Sequence, residues 1–250
     1  MIELNKIYNE SNCDTMRRMA PDSVDVVITS PPYNLGDNGH KQGEYSSIKD
    51  NMNIEEYFQF IIVTIQELLR VTKWHIFFNI QENSGNFGIV RELRKHFDDY
   101  LKETFIWVKT NPQPTFNPKQ IVSAFEYIFC FSKDNPHNRQ FTHCTFDNKN
   151  KIEHQNVFLR PVNNDIECRE HHFRFPEWLP KYFIKNFSYE KEIIYDPFMG
   201  SGTTAKGCIE LNRNYVGSEI SPEYCDIAER RLQPYKSNID MFYEQAKNTA

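Results

Sequence analysis

Apolar and polar positions follow two rhythms along this chain, and the rhythms take turns. Val24-Asp25-Val26-Val27-Ile28 is a short, β-branched, nearly continuous apolar run. That pattern predicts a parallel strand buried on both faces. From Ile54 to Arg70 the apolar residues fall at 54, 57, 58, 61, 62, 65, 68 and 69, which is a helical period. His75–Ile80 predicts the next strand, Phe87–Phe97 a helix, and Phe105–Val108 and Phe125–Phe131 two more strands. Between about 134 and 169 the periodicity weakens and Asn, His, Lys and Asp accumulate, with Val157-Phe158-Leu159 as a short strand-like piece. This stretch reads as an insertion on the scaffold. Regularity returns with a helix near Pro176–Asn186, where Pro176 suits a first turn. A strand at Ile193–Tyr195, a helix to Leu211, a strand at Tyr215–Ser218 and a helix at Pro222–Leu232 follow. The polar tail after Pro234 reads as a segment that frays or covers an edge.

Two of the strand ends carry residues that packing does not require. The first strand runs into Thr29-Ser30-Pro31-Pro32-Tyr33-Asn34. The paired prolines stop the strand and impose a rigid, extended turn. The polar segment beyond, with Gly36, Gly39 and Gly43, reaches about Asn53. That is long for a connection in a compact domain and reads as a functional loop. An exocyclic base amine is a poor nucleophile because its lone pair is delocalised into the ring. Oxygens held in fixed geometry help by accepting its hydrogens, and the Ser30 hydroxyl and the Pro31 carbonyl are such acceptors. Tyr33 offers an aromatic face to a base turned out of the helix.

The second is Asp196-Pro197-Phe198-Met199-Gly200-Ser201-Gly202-Thr203-Thr204. Here a strand enters a glycine turn that opens a helix. Gly200 and Gly202 permit close backbone approach to a ligand, and free amides at the helix start favour an anionic group. No GK[ST] follows, so it is not a P-loop, and it is not GxGxxG. Glu219 ends the next strand, 17 residues after Gly202. An acid there suits a pair of ribose hydroxyls. The combination indicates a nucleoside cofactor without a polyphosphate, and S-adenosylmethionine fits, its carboxylate near the glycine turn and its ribose near Glu219.

Composition narrows the rest. With 250 residues, 39% hydrophobic and 25% charged, the chain is neither disordered nor a coiled coil. No apolar run approaches the roughly 20 residues of a membrane span, and the first residues do not read as a signal peptide. Six cysteines lie scattered without a CxxC pair, which disfavours a disulfide framework or structural zinc and suits a reducing cytoplasm. No metal site is expected, since no Cys or His has usable spacing. No Pro-Cys turn supplies the nucleophile that methylation of cytosine C5 needs. Cys13, Cys208 and Trp107 read as packing residues. The net charge of −5 argues weakly against a polyanion partner. Residues 102–174, however, carry ten Lys/Arg against eight Asp/Glu, while the remainder carries 19 against 26. This modest asymmetry allows contact with a polyanion in the middle segment without establishing it.

On these motifs the sequence resembles the amino-methyltransferases of restriction–modification systems, which methylate cytosine N4 or adenine N6 in DNA. Thr29–Asn34 is similar to their catalytic motif, and Asp196–Thr204 to their cofactor motif in its DPFxGSGTT form. The catalytic motif comes first and the cofactor motif last, which is the permuted β-group order. Ile7-Tyr8-Asn9 leading to Asp14 resembles the family's strand ending in an acid just before the catalytic strand, Glu67–Val71 with Lys73 its ELLRVLKPGG helix end, and Phe105–Lys109 and Phe125–Lys133, the latter reading FEYIFCFSK, its later strands. His171 with Phe175–Pro180 resembles its HxxxFPxxLP element. Trp74-His75 stand where the family has a glycine-containing turn.

The resemblance implies a Rossmann-like, seven-stranded, mostly parallel sheet with one antiparallel edge partner. Residues 1–133 would form the catalytic half, 134–169 a target-recognition insertion, and 170–250 the S-adenosylmethionine-binding half. It implies Ser30, Pro31, Pro32 and Tyr33 as catalytic residues. Asp14, His171, Asp196, Pro197, Phe198, Gly200, Ser201, Gly202, Thr203 and Glu219 would bind the cofactor. Double-stranded DNA would be the partner, touched by Asn34, Lys109, Lys133, Arg139 and Lys151, with a cognate restriction endonuclease and a homodimer as further expected partners. Serine in place of aspartate at position 30 favours cytosine N4, with adenine N6 second. A degenerate DNA-binding partner is the reading from another class. RNA or protein-amide methylation ranks below these, because glutamine methyltransferases carry their NPPY turn after the cofactor motif.

Overall fold

The chain alternates strand and helix as its two rhythms require. The computed structural model describes residues 2–36, 50–112, 114, 119, 121–134, 138–146, 154–162 and 175–248, with side chains of the last helix described to Lys236. In order, the elements are β1 (Lys6–Tyr8), α1 (Asn12–Arg17), β2 (Val24–Thr29), α2 (Ile54–Val71), β3 (Thr72–Ile80), α3 (Ile89–Phe97), β4 (Leu101–Lys109), β5 (Phe125–Ser132) and β6 (Val157–Arg160). They continue with α4 (Trp178–Phe187), β7 (Ile193–Asp196), α5 (Thr203–Glu210), β8 (Asn214–Ser218) and α6 (Pro222–Asn248).

Capping explains several boundaries. The Asn53 side chain accepts from the Glu56 amide and starts α2, as an N-cap should. At the other end α2 passes into β3 with no turn, because Thr72 is already extended. Trp74 and His75, which replace the expected glycine turn, therefore lie inside the strand. The largest departure is α6, which runs through Pro234 to Asn248. Among the described residues, no helix is long and apolar enough to cross a membrane.

Among the described residues, eight strands share one sheet, in the order β1-β8-β7-β2-β3-β5-β4-β6. The extra strand is β6, which pairs parallel with β4 and makes the sheet one strand wider than expected. A single strand, β5, runs antiparallel, but between β3 and β4 and not at an edge. Two apolar layers cover the faces. One holds Met16, Ile61, Leu68, Leu93 and Phe97 against Val27, Phe78 and Phe129. The other holds Leu179, Phe183, Phe187, Cys208 and Leu232 against Val26, Phe77 and Ile194. Phe77 stacks on Phe183 with ring centroids 4.1 Å apart, and a fully buried ring of this kind contributes about 1.5–3 kcal/mol. Trp107 and Cys208 are packing residues, as expected. The described parts of 138–162 belong to the scaffold too: Phe141 packs on Phe187, and the Thr145 amide donates to the Asn186 carbonyl.

The reversal of β5 places two of the expected DNA contacts away from the motif-bearing strand ends. Ser132 pairs with His75 at the start of β3, while Tyr127 pairs with Ile80 at its end. Lys133 therefore emerges at the amino-terminal edge of the parallel strands, where it pairs with Asp22 just ahead of β2. Arg139 pairs with Glu103, near the start of β4. Both cations sit toward the edge opposite the two motif-bearing strand ends.

That edge also holds a buried histidine. His75 is fully buried, with its ring nitrogens at 3.2 Å from Ser132 Oγ and 3.1 Å from the His143 carbonyl. Burial pushes its pKa down from 6.5 to about 4. The unfolded chain takes up this proton between those values and the folded chain does not, so the stabilisation is full above 6.5 and is lost as pH falls toward 4. Replacing His75 with Phe, in an aromatic surround of Phe77, Phe141 and Phe187, should remove that slope. Relative to the wild type, His75→Phe should gain about 2 kcal/mol between pH 7 and pH 5. Urea unfolding at both values measures this, and a constant difference between the proteins would count against the neutral buried histidine.

Candidate active site

The two motifs end neighbouring strands. β2 and β7 pair in parallel, with Val26 opposite Ile194 and Val27 opposite Tyr195. From β2 the chain crosses to β3 by α2, and from β7 it crosses the other way to β8 by α5. The gap between their carboxyl ends is thus a switch point, where open α/β sheets bind ligands.

Asp196 joins the two ends. Its Oδ1 accepts from Thr29 Oγ1 at 2.7 Å and from the Phe198 amide at 3.0 Å, and its Oδ2 accepts from Thr204 Oγ1 at 2.6 Å. Burial pushes its pKa up to about 6, against the pull of those hydrogen bonds. Buried and bonded to both strand ends, Asp196 is a brace between the strands. Ser201 and Thr203 are similar. Arg231 Nη1 donates to the Ser201 carbonyl and to Thr203 Oγ1, and Arg231 Nη2 to Glu177 Oε1 at 2.7 Å. Lys206 and Lys181 also donate to Glu177. Burial works against ionisation of Glu177, but these hydrogen bonds outweigh it and hold the carboxyl down at about 2.

The rest of this half is formed by Phe198, Gly200 and the buried Glu219. Gly200 and Gly202 both have positive φ. Glu219 Oε2 accepts from the Gly200 amide at 2.9 Å and Oε1 from the Ser221 amide at 2.8 Å. Burial pushes its pKa up. Each oxygen keeps a lone pair beyond these bonds. Pro197 is buried beneath the turn. Phe198 meets Phe60 edge-on at 5.8 Å, next to an apolar depression lined by Cys13, Phe60 and Val63. Cys13, expected to pack, is partly buried there. Asp14 lies in the first turn of α1, engaged with Ser11 and Arg17. Asn9 Nδ2 donates to the Glu219 carbonyl, so the β1 end sits beside this turn.

The catalytic half is a polar cluster under a rigid turn. Ser30 Oγ lies 2.9 Å from Tyr33 Oη, and Tyr33 donates to Glu126 Oε2 at 2.8 Å. Asn79 Nδ2 lies 2.6 Å from both Tyr33 Oη and Glu126 Oε2. Lys109 Nζ pairs with Glu126 Oε1 at 2.7 Å and donates to Gln81 at 2.9 Å. Burial, with Glu126 adding to it, drives the Tyr33 hydroxyl far above its ordinary pKa. The turn itself is held from outside: Tyr57 donates to the Pro32 carbonyl, and Asn83 and Asn86 to the Tyr33 carbonyl.

Two further residues expected from the sequence to contact DNA have internal partners here. Asn34 is buried in a left-handed conformation, φ +57. Its Nδ2 donates to the Met52 and Gly85 carbonyls and its Oδ1 accepts from the Met52 amide. It therefore pins the loop and has no surface for a partner. Lys109 is brought to the site, but its ammonium faces Glu126 with the side chain only 11% exposed. His171 and Lys151 lie outside the described residues. Sequence reasoning missed Asn79, Glu126, Phe60, Glu177 and Arg231. The signal for the first two was present, as single polar residues inside the apolar runs His75–Ile80 and Phe125–Phe131.

Fold and site together define a Rossmann-like α/β protein with a two-part site at the switch point of its sheet. Residues 24–230 match the DNA methylase family N6_N4_Mtase, and the chain belongs to that family. It is 32% identical to the orphan methyltransferase M.BamHII of Bacillus amyloliquefaciens, over 85% of this chain and 90% of that protein. It is 25% identical to the type II methyltransferase M.HinfI of Haemophilus influenzae, over 94% of this chain and 70% of the relative. The fold matches that of PvuII DNA methyltransferase (cytosine-N4-specific) with a TM-score of 0.70 at 19% identity, over 90% of this chain and 84% of that one. It also matches the M1.HpyAVI–SAM complex with a TM-score of 0.63 at 22% identity, over 91% and 98% of the two chains.

Proposed function

We propose that this DNA methylase transfers a methyl group from S-adenosylmethionine to the N4 amine of cytosine in double-stranded DNA. The observation that carries the reading is the direct brace between its two strand ends, Thr29–Asp196–Thr204. It locks an acceptor-bearing turn beside a glycine turn, and displacement at a methyl carbon needs that fixed alignment. The cofactor half suits the donor chemically. The Gly200 turn offers close backbone approach, Glu219 keeps lone pairs for two hydroxyls, and the depression beside Phe198 suits an aromatic ring. Asp14 and His171 are proposed to complete it. When bound, S-adenosylmethionine supplies an electrophilic methyl group on a sulfonium that leaves as a neutral thioether. The chain's own residues hold the amine: Ser30 Oγ and the Pro31 carbonyl accept its hydrogens and stabilise the charge that develops on nitrogen, and the surplus proton of the methylated amine leaves to water. Tyr33 offers its ring to the extruded base.

Serine at position 30 supports cytosine over adenine. The test is single-turnover methyl transfer, with product nucleosides identified by mass spectrometry. Ser30→Ala should lower the rate about tenfold to hundredfold with cofactor affinity unchanged, since one hydrogen bond to developing charge is worth roughly 1.5–3 kcal/mol. A full rate would remove Ser30 from the chemistry. N6-methyladenine as sole product would replace cytosine with adenine, and no methylated base would favour an inactive DNA-binding partner.

Target recognition is proposed for the part of 134–169 that includes Lys151, in a chain organised as a catalytic half (1–133) and a cofactor half (170–250). Lys151→Gln should weaken DNA binding and reduce its salt slope by about one unit at most. Arg139→Gln should change neither, because Arg139 pairs with Glu103 toward the opposite edge. Equal slopes in all three proteins would reject the placement. A cognate endonuclease cutting the same unmethylated sequence and a homodimer, read by sedimentation, complete this reading.

A further inference from the structure

We propose that Glu126, acting through Tyr33, sets the direction of the Ser30 hydroxyl, so that its proton points inward and its lone pairs face the target amine. The inference rests on the reading above that Ser30 accepts from that amine. A serine hydroxyl is ambivalent: it can accept from an amine, or turn its own proton outward and repel the amine's hydrogens. Something must choose between the two.

The choice follows from counting protons around Tyr33 Oη. A phenol has one proton to donate and two lone pairs. Its three neighbours are Glu126 Oε2 at 2.8 Å, Asn79 Nδ2 at 2.6 Å and Ser30 Oγ at 2.9 Å. An amide nitrogen only donates, so Asn79 fills one lone pair. Glu126 is ion-paired with Lys109 at 2.7 Å, in a site where both side chains are nearly buried, and a carboxylate only accepts. The single Tyr33 proton therefore goes to Glu126. That leaves Ser30 one role toward Tyr33, as donor into the second lone pair.

The opposite arrangement would send the Tyr33 proton to Ser30. Two oxygens, one of them a carboxylate, would then face each other at 2.8 Å with no proton between them, inside the protein where that repulsion is least screened. The chain Ser30→Tyr33→Glu126 is thus directional, and hydrogen bonds aligned in one direction strengthen each other. A hydroxyl that donates strongly is also a better acceptor, which is what an amine losing electron density to a methyl group requires. Glu126 touches no reacting atom and is a positioning residue. Lys109, expected from sequence to hold DNA, holds Glu126 in place.

A neutral amide at 126 loses this bias, because it can donate to Tyr33 Oη and send the Tyr33 proton back to Ser30. The test is a double-mutant cycle in single-turnover kinetics, alongside cofactor and DNA dissociation constants. Glu126→Gln should lower the rate about tenfold with both dissociation constants unchanged. In a Ser30→Ala background it should cause no further loss, since there is no hydroxyl left to orient. Tyr33→Phe keeps the ring and the Glu126–Lys109 pair while breaking the chain in the middle. It should show a similar loss and the same non-additivity, and it carries the test should Glu126→Gln fail to fold. A full rate in Tyr33→Phe, or losses that multiply with Ser30→Ala, would overturn the inference. A full rate in Ser30→Ala itself would instead overturn the reading on which it rests.

Discussion

Gly85→Ala should cut methyl transfer by about a hundredfold or more while leaving cofactor affinity unchanged. A Cβ at position 85 would stand 1.7 Å from the Asn34 carbonyl oxygen and 2.9 Å from its carbon. Ordinary van der Waals contact needs roughly twice the shorter distance, and the obstacle is backbone, which no rotamer change can clear. The Asn34 carbonyl belongs to the residue next to Tyr33, and Asn34 also donates to the Gly85 carbonyl at 2.7 Å. Relief of the clash must therefore move the turn that carries Ser30 and Tyr33. Overpacking of this kind costs about 1–3 kcal/mol of stability, but displacement of the acceptors reaches further, because the chemical step depends on sub-ångström alignment. The atoms a Cβ at Gly85 would meet belong to Asn34 and Asn83, on the β2 side of the site, so calorimetric titration should find S-adenosylmethionine bound normally. A wild-type rate would show that the turn can shift without consequence and would remove the rigid-turn argument.

Gly202→Val should weaken S-adenosylmethionine binding by about tenfold or more, through the frame of the site. Gly202 caps α5 in the left-handed region at φ +81, a conformation that costs a β-branched residue about 1–3 kcal/mol. Sequence reasoning expects an added Cβ to enter the ligand's space. The structure points it elsewhere, 3.1 Å from Ala228 Cβ and 3.5 Å from Leu232. Valine would press α6 away from α5 or flip the turn, and either movement carries the Gly200 amide off Glu219. Circular dichroism should report a folded protein of lower melting temperature, and calorimetry the lost affinity. Unchanged affinity would mean that the turn's geometry is not what the cofactor reads.

Much of the scaffold was legible because its elements are long and regular relative to their signals. The helix at 54–71 has a full apolar stripe and an asparagine cap, so tertiary contacts agree with local preference. β6 was harder, since four residues with mostly exposed side chains make no strand without β4 to pair with. The continuation of α6 past Pro234 runs against the usual meaning of proline in a helix. Candidate chemistry followed the same division. Ser30, Tyr33, Gly200 and Glu219 stood out because prolines and glycines at strand ends have few structural uses. Asn79 and Glu126 did not, because a lone polar residue in an apolar run acquires meaning only from its spatial neighbours.

The local pattern of this sequence determined which segments become strands and helices, and it marked two strand ends as unlike the rest. Both properties arise from residues close together in the chain: side-chain period, paired prolines and a glycine turn. The tertiary structure decided everything that depends on direction and distance. Reversal of β5 carried Lys133 to the far edge and set Glu126 beside Tyr33, although both residues belong to the same short stretch of sequence. Folding made Asp196 a brace between strands 167 residues apart in sequence. It also turned Asn34 and Lys109 from expected DNA contacts into internal supports. The physical reason is that a charge or an amide acts on whatever lies within about 3 Å of it, and for these residues those neighbours are supplied by strands distant in sequence.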